Sequence, residues 1–150
     1  MLNRLVDVFR SLREHEVRYL VVGGIAAILH GVPRATIDLD ILIDVTPENA
    51  RRLLAALAQA GLGTALLATP DELIRNEITI FKDRVRVDVL TEAPGLSFEA
   101  AWDRRETMTY QDQPFFVLSK DDLIAAKKAS GRAVDLEDAR LLELPDDPEG

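Results

Sequence analysis

The chain has no cysteine, so it can hold neither a disulfide framework nor a thiolate metal site. Its two histidines, His15 and His30, are isolated, with no partner at metal-ligand spacing, which assigns them to surface or packing and argues against a histidine-rich phosphohydrolase centre. No apolar run is long enough for a membrane: the longest, Tyr19 to Leu29, contains two glycines and falls short of the ~20 residues a bilayer requires. The opening Met1-Leu2-Asn3-Arg4 lacks the features of a secretory signal, so a soluble, cytoplasmic protein with no membrane contact is expected. Cations are in the minority, with 18 Lys and Arg against 26 Asp and Glu and a net charge of −8. Duplex affinity comes largely from basic side chains neutralising phosphates, so no extended nucleic-acid contact is expected from this surface alone. Aromatics are few, and the single tryptophan, Trp102, reads as a packing or interface anchor.

What is present is enough for one domain: 150 residues of which 47% are hydrophobic. Residues 1–144 are read as that domain and 145–150, rich in Asp, Pro and Glu, as a flexible tail. Leu2, Leu5, Val6, Phe9 and Leu12 recur at helical spacing, and Tyr19 to Val22 is a β-prone run that ends at Gly23-Gly24. A helix over 25–30 should stop near Pro33, and a strand over 38–45 follows. Thr46-Pro47-Glu48 then carries a cap, an N1 proline and an early acid, predicting a helix to about Ala60. Beyond it the sequence suggests a strand over 64–68, a helical turn over 71–75 and a hairpin of 77–82 with 84–90, joined at Lys82-Asp83. A helix over 97–105, a strand over 115–118 and two helices complete the reading, the last two capped by Ser119 with Asp122 and by Asp135 with Asp138. The expected class is α/β (α+β), a mixed sheet with helices mainly on one face.

Alternation along the strands places Leu39, Ile41 and Ile43 on one face with Asp38 and Asp40 on the other, and likewise sets Val85, Val87 and Val89 against Arg84, Arg86 and Asp88. Residues two apart on a strand are about 6.5 to 7 Å apart, a span that two hard cations can bridge. Asp88, on a strand that could lie alongside, would add a third carboxylate. Three clustered carboxylates repel one another unless cations intervene, which points to Mg²⁺ or Mn²⁺. Aspartate is depleted in strands, yet Asp38 and Asp40 sit amid Ile37, Leu39, Ile41 and Ile43. Gly23-Gly24 precedes a helix, where free backbone N–H groups favour an anion and glycine lets a phosphate come close.

Gly23-Gly24, then Arg34-Ala-Thr36-Ile-Asp38-Leu-Asp40, then Val87-Asp88-Val89, resemble the signature of the nucleotidyltransferase superfamily that includes DNA polymerase β. Within it the chain resembles small bacterial proteins such as the AbiEii-type toxins and minimal nucleotidyltransferases. Leu123 to Lys127 and Gly131 to Asp138 are similar to the C-terminal pattern of the AbiEii-type group, so the resemblance runs from Tyr19 to about Leu142. It implies a nucleotidyltransferase fold, two Mg²⁺ ions (or Mn²⁺) on Asp38, Asp40 and Asp88, with Asp88 as a candidate base, and Gly23 and Gly24 against the triphosphate of an NTP. The reaction implied is transfer of a nucleotide to an acceptor hydroxyl, on an RNA end, a protein or a small molecule. Two positions depart from the pattern: no serine stands at the second glycine position, and Val134 replaces a basic residue frequent in related chains.

Arg34, Arg86, Lys127 and Arg132 are the cations expected near phosphate or acceptor, and each has a plainer alternative. Arg34 could pair with a nearby acid, Arg86 could neutralise Asp88, and Lys127 and Arg132 stand at a helix C-terminus, where cations are favoured in any case. Thr36 is expected to order the loop or Asp38 through its hydroxyl. A rival function of another class is a weakly catalytic or non-catalytic interaction module, such as a toxin-antitoxin component, with a protein partner or a second copy of the chain. The intact trio of aspartates counts against that rival.

Overall fold

Thr46 and Pro47 show how directly the chain encodes its elements. The Thr46 hydroxyl accepts from the Asn49 N–H at 3.1 Å, Pro47 occupies the first helical position, and the helix that follows, α3 (Pro47–Gln59), buries Ala50, Leu53, Leu54 and Leu57. The structure, a computed structural model, describes residues 2–145. The other helices are α1 (Val6–Glu14), α2 (Gly23–Leu29), α4 (Pro70–Arg75), α5 (Phe98–Asp103), α6 (Lys120–Ser130) and α7 (Ala133–Glu143). Six strands, β1 (Tyr19–Val22), β2 (Leu39–Ile43), β3 (Ile78–Lys82), β4 (Arg86–Leu90), β5 (Glu106–Tyr110) and β6 (Gln113–Val117), form one sheet in the order β3-β4-β2-β1-β6-β5. β2 runs parallel to β4 and β1 parallel to β6, while the remaining pairs are antiparallel, so the sheet is mixed as expected.

The central strands are the most apolar because both their faces are covered. All four residues of β1 are buried, and in β2 Leu39, Ile41 and Ile43 are inaccessible to solvent. α1 lies against α3 and β6, with Phe9 stacked on Phe115 at 4.4 Å between ring centroids. α2 packs on β1 and β2, and α6 and α7 form a helical pair that reaches α2. Trp102 packs edge-on to Phe116 with the Arg105 guanidinium 3.9 Å above its ring, the anchoring role expected of it. Among the described residues no helix is long and apolar enough to cross a membrane.

Several elements differ from the sequence reading. The segment expected as a strand over 64–68 is a 3-10 helix, Gly63–Leu67, whose Leu66 and Leu67 are exposed. β3 already closes the sheet on that side, and the segment pairs with no strand. β5 was not anticipated: its turn to β6 places Gln111 and Asp112 at φ 48° and 64°, the positive pair that a two-residue hairpin needs but that Asn-Gly usually announces. Asp135 and Asp138 do not form a capping pair. α7 begins after Arg132 without a side-chain cap, and both aspartates turn into ion pairs described below. The hairpin of β3 and β4 is joined by residues 83–85 rather than at Lys82-Asp83. Of the tail expected over 145–150, residues 146–150 lie outside the described residues.

Candidate active site

Two parallel strands set the acidic cluster. In the register of β2 on β4, Asp40 stands opposite Asp88, and neighbouring strands lie about 4.8 Å apart, so the two carboxyl groups on one face are forced together. Asp38 precedes β2 by one residue and is partly exposed; Asp88 is buried. Burial, the charges of Asp88 and Asp38 and a hydrogen bond with Asp88 together push the Asp40 carboxyl up from 3.8 to about 7, against the lowering influence of Arg86. Asp40 therefore holds a proton near neutrality when no other cation neutralises the cluster.

Arg86, two residues before Asp88 and on the same strand face, forks onto it with Nε 2.9 Å from Oδ1 and Nη2 3.1 Å from Oδ2. Its Nε also stands 3.7 Å from Asp38. It is the internal counter-ion of the cluster. Both Asp88 oxygens are held this way, and no three His, Asp or Glu side chains among the described residues are arranged to hold a metal ion. The donor set itself is of the kind a hard divalent cation takes: carboxylate oxygens, an excess of negative charge, and a proton held at an unusually high pKa for want of a better cation. Asp38 and Asp40 would be the residues to hold Mg²⁺ or Mn²⁺, and Asp88 could join them only with its Arg86 fork released.

Gly23 and Gly24 are required by close approach. A Cβ added at Gly23 would lie 2.2 Å from Asp40 Oδ2, and its φ of 68° is left-handed, so no side chain is tolerated beside the carboxylate. At Gly24 a Cβ would come within 3.2 Å of the Thr36 methyl. Thr36 thus fixes the loop by packing on the β1–α2 corner; the expected hydroxyl bond to Asp38 is not formed among the described residues.

A third group comes from the α6–α7 corner. Gly131, at φ 69°, ends α6 and lets α7 fold back beside it. Lys127, only 5% exposed, lies 2.9 Å from Asp138 and 3.3 Å from Asp135. Asp138 also accepts from Arg34 Nη1 at 2.6 Å, and Asp135 from Arg132 Nε at 2.8 Å and Ser130 Oγ at 2.6 Å. Burial works to raise the Asp135 carboxyl, but the bonds from Arg132, Ser130 and Lys127 outweigh it and hold it below the usual carboxylate range. Arg34, Lys127 and Arg132 are each carboxylate-paired, yet the pairing holds them in one wall of the site. The guanidinium of Arg132 stays largely exposed, and the Asp40 charge reaches it.

These groups surround a cavity of about 180 Å³ whose lining includes nine of the ten residues singled out from the sequence. The tenth, Arg86, stands behind Asp88. An adjoining cavity of about 160 Å³ shares Gly23, Asp40, Lys127 and Arg132 with the first and continues over apolar Leu90, Leu96, Leu118 and Leu123. Sequence reasoning missed Asp135 and Asp138 as part of the site. Their i, i+3 spacing places them on one helix face, but nothing in the sequence shows that this face meets Lys127. The arrangement joins an acidic, oxygen-only face to a cationic wall across a small cavity, with room for a flat apolar group beside it.

A family model described as a nucleotidyltransferase of unknown function (DUF6036) matches residues 2–146. No curated protein matches the chain. The family match agrees with the nucleotidyltransferase resemblance and does not name the AbiEii-type group.

Proposed function

Since the chain belongs to that nucleotidyltransferase family, we propose that it is an active, Mg²⁺-dependent enzyme that moves a nucleoside monophosphate from an NTP to an acceptor hydroxyl, using Asp38, Asp40 and Asp88. The single observation that carries this reading is the register of β2 on β4, which brings Asp40 against Asp88 with Asp38 beside them in the cavity that Gly23 and Gly24 floor. When bound, the divalent ions supply charge neutralisation for the triphosphate and lower the pKa of the acceptor hydroxyl.

The chain's own residues do the rest. The bare backbone at Gly23 and Gly24 leaves space for phosphate oxygens next to Asp40. Arg132 and Lys127, held by Asp135 and Asp138, present positive charge to the phosphates without collapsing onto the aspartates. The apolar cavity over Leu90, Leu96 and Leu118 is placed to take the nucleoside. In the transfer, the acceptor oxygen forms a bond to the α-phosphorus while the bond from that phosphorus to the bridging oxygen breaks, and pyrophosphate leaves with the electron pair. The hydroxyl proton passes to a carboxylate of the cluster, with Asp88 the candidate base.

The test is incubation of the purified protein with Mg²⁺ and each α-labelled NTP, with and without cell extract, beside Asp38→Ala. Label transfer or pyrophosphate release by the wild type and its loss in the variant are expected. Transfer that survives Asp38→Ala, or a wild type that binds neither Mn²⁺ nor nucleotide, would overturn the reading.

A further inference from the structure

Asp38 lines two spaces at once. One is the cavity that holds Gly23, Gly24 and Lys127; the other is a groove of about 360 Å³ that shares only Asp38 with it and is formed with Ile37, the β3–β4 turn and the N-terminal segment. A transfer reaction needs donor and acceptor to approach the reacting phosphorus from opposite sides. With the nucleotide in the first space, the groove is where an acceptor hydroxyl reaches the aspartates.

The groove's charge runs against that of the chain. Although the net charge is −8, the groove is lined by four cations, Arg4, Lys82, Arg84 and Arg86, against two carboxylates, Asp38 and Asp83. Arg86 is already committed to Asp88 and Asp38. Of the other three, Arg84 makes one long ion pair, to Asp7 at 3.9 Å, and Arg4 and Lys82 make none among the described residues. Arg4 donates to the Arg84 carbonyl at 2.6 Å, and Arg84 donates to the carbonyls of Ala60 at 2.8 Å and Arg4 at 3.4 Å. Carbonyl bonds fix the direction of a guanidinium but leave its charge in place. The Asp7 contact of Arg84 is at the long end of ion pairing, and Lys82 keeps its ammonium without a carboxylate partner among the described residues. Asp83 turns its oxygens to the N–H groups of Arg84 and Thr64. Beside these cations Ile37 is 78% exposed, an apolar surface placed next to the metal-site carboxylate. Clustered cations, two of them oriented by carbonyl groups and only one in a long ion pair, next to an exposed apolar side chain match a ligand with a phosphate on one part and a sugar or base on another.

We infer that this groove is the acceptor subsite, and that it selects an acceptor carrying a phosphate close to the attacking hydroxyl, with Lys82, Arg84 and Arg4 holding that phosphate. This rests on the nucleotidyltransferase reading and names the chemical class of its acceptor. Two sources share this chemistry: the end of a nucleic-acid strand and a small phosphorylated polyol. The groove is short, so a strand would be gripped near its end, consistent with the acidity of the remaining surface.

The test measures binding of a short 5′-labelled oligoribonucleotide by fluorescence anisotropy across salt concentrations, with ribose 5-phosphate as competitor and Mg·ATP affinity measured separately. Lys82→Ala and Lys82→Glu are compared with wild type and with Arg140→Ala, a charge control on α7 whose side chain pairs with Glu137. The inference expects Lys82→Ala to weaken oligonucleotide binding about fivefold and to lower the salt slope by about 0.7, the value for one phosphate contact on a single strand. Lys82→Glu should weaken it further, while Arg140→Ala and all Mg·ATP affinities stay at the wild-type value. If ribose 5-phosphate binds in a Lys82-dependent way as tightly as the oligonucleotide, the acceptor is the small molecule; if only the oligonucleotide does, it is a strand end. Binding of both probes that is absent or indifferent to Lys82, with Mg·ATP still bound, overturns the inference and leaves the nucleotidyltransferase reading standing. Failure to bind Mg·ATP removes that reading and, with it, the groove's role as acceptor site.

Discussion

Replacing Asp40 by asparagine should stabilise the metal-free protein at alkaline pH, because the wild-type fold holds a carboxylate where it is electrostatically unwelcome. In the folded state the Asp40 carboxyl titrates at about 7, pushed up first by burial and then by Asp88 and Asp38, whereas its ordinary value is 3.8. A raised acid binds its proton more tightly in the folded than in the unfolded chain. Between about pH 4 and pH 7 the folded state therefore carries the extra proton, and stability falls as pH rises through that window. At full weight the displacement corresponds to about 4 kcal/mol. Asp40 is partly exposed, and solvent screening leaves about 2 kcal/mol. Asp40→Asn removes the titration, so the two proteins should be of similar stability near pH 4, and the variant should lead by about 2 kcal/mol at pH 8. In a chain of this size that is about 4–8 °C in Tm. Urea unfolding in EDTA at several pH values measures the difference directly, and subtracting one curve from the other cancels groups unaffected by the substitution. Added Mg²⁺ should recover part of the wild-type loss at pH 8 and do nothing for the variant. A difference between the two proteins that is flat from pH 4 to pH 8, or that favours the wild type at pH 8, would refute the reasoning.

Gly23→Ala should cost about 1–2 kcal/mol from the left-handed backbone alone, and should displace the Asp40 carboxylate that a Cβ would meet at 2.2 Å. Calorimetric titration with Mn²⁺ should then show weakened binding, and wild-type affinity would contradict the close-approach argument. Asp138→Ala leaves Lys127 buried with only Asp135 and frees Arg34, so a destabilisation of about 3 kcal/mol in urea is expected; a loss under 1 kcal/mol would show that the ion-pair wall is not structural. Arg86→Gln removes the fork on Asp88 and makes the cluster more negative. Mn²⁺ should bind more tightly to this variant while its metal-free Tm drops, and weaker binding would mean that Arg86 shapes the site rather than competing for it.

The parts of this molecule that obey period-2 alternation or helix-cap chemistry were legible in the sequence. Val85 to Val89 and Leu39 to Ile43 declare which side chains go inward, and that alone places Asp40, Arg86 and Asp88 on a common side. Legibility failed where the deciding interaction is non-local. Thr64 to Ala68 is a short, mostly apolar run whose Ala and Leu do not favour a strand, and the sheet already ends at β3, a fact that no local window contains. β5 forms because β6 offers it an edge and a Gln-Asp turn tolerates positive φ, which propensity does not reveal. Asp135 reads as a helix cap because acids are common in a first turn. Only the return of α7 onto α6 shows that it faces Lys127. The acceptor groove was invisible for the same reason, since Arg4 and Arg84, which bond each other there, are 80 positions apart.

The most direct measurement of the central claim is a crystal of the protein grown with Mn²⁺ and a non-hydrolysable NTP analogue, with the metal located by anomalous scattering. The account predicts manganese between Asp38 and Asp40, Asp88 released from Arg86 to join them, and the triphosphate along Gly23 and Gly24 toward Arg132. Manganese and nucleotide bound elsewhere, with Arg86 still forked on Asp88 and the cavity empty, would contradict it.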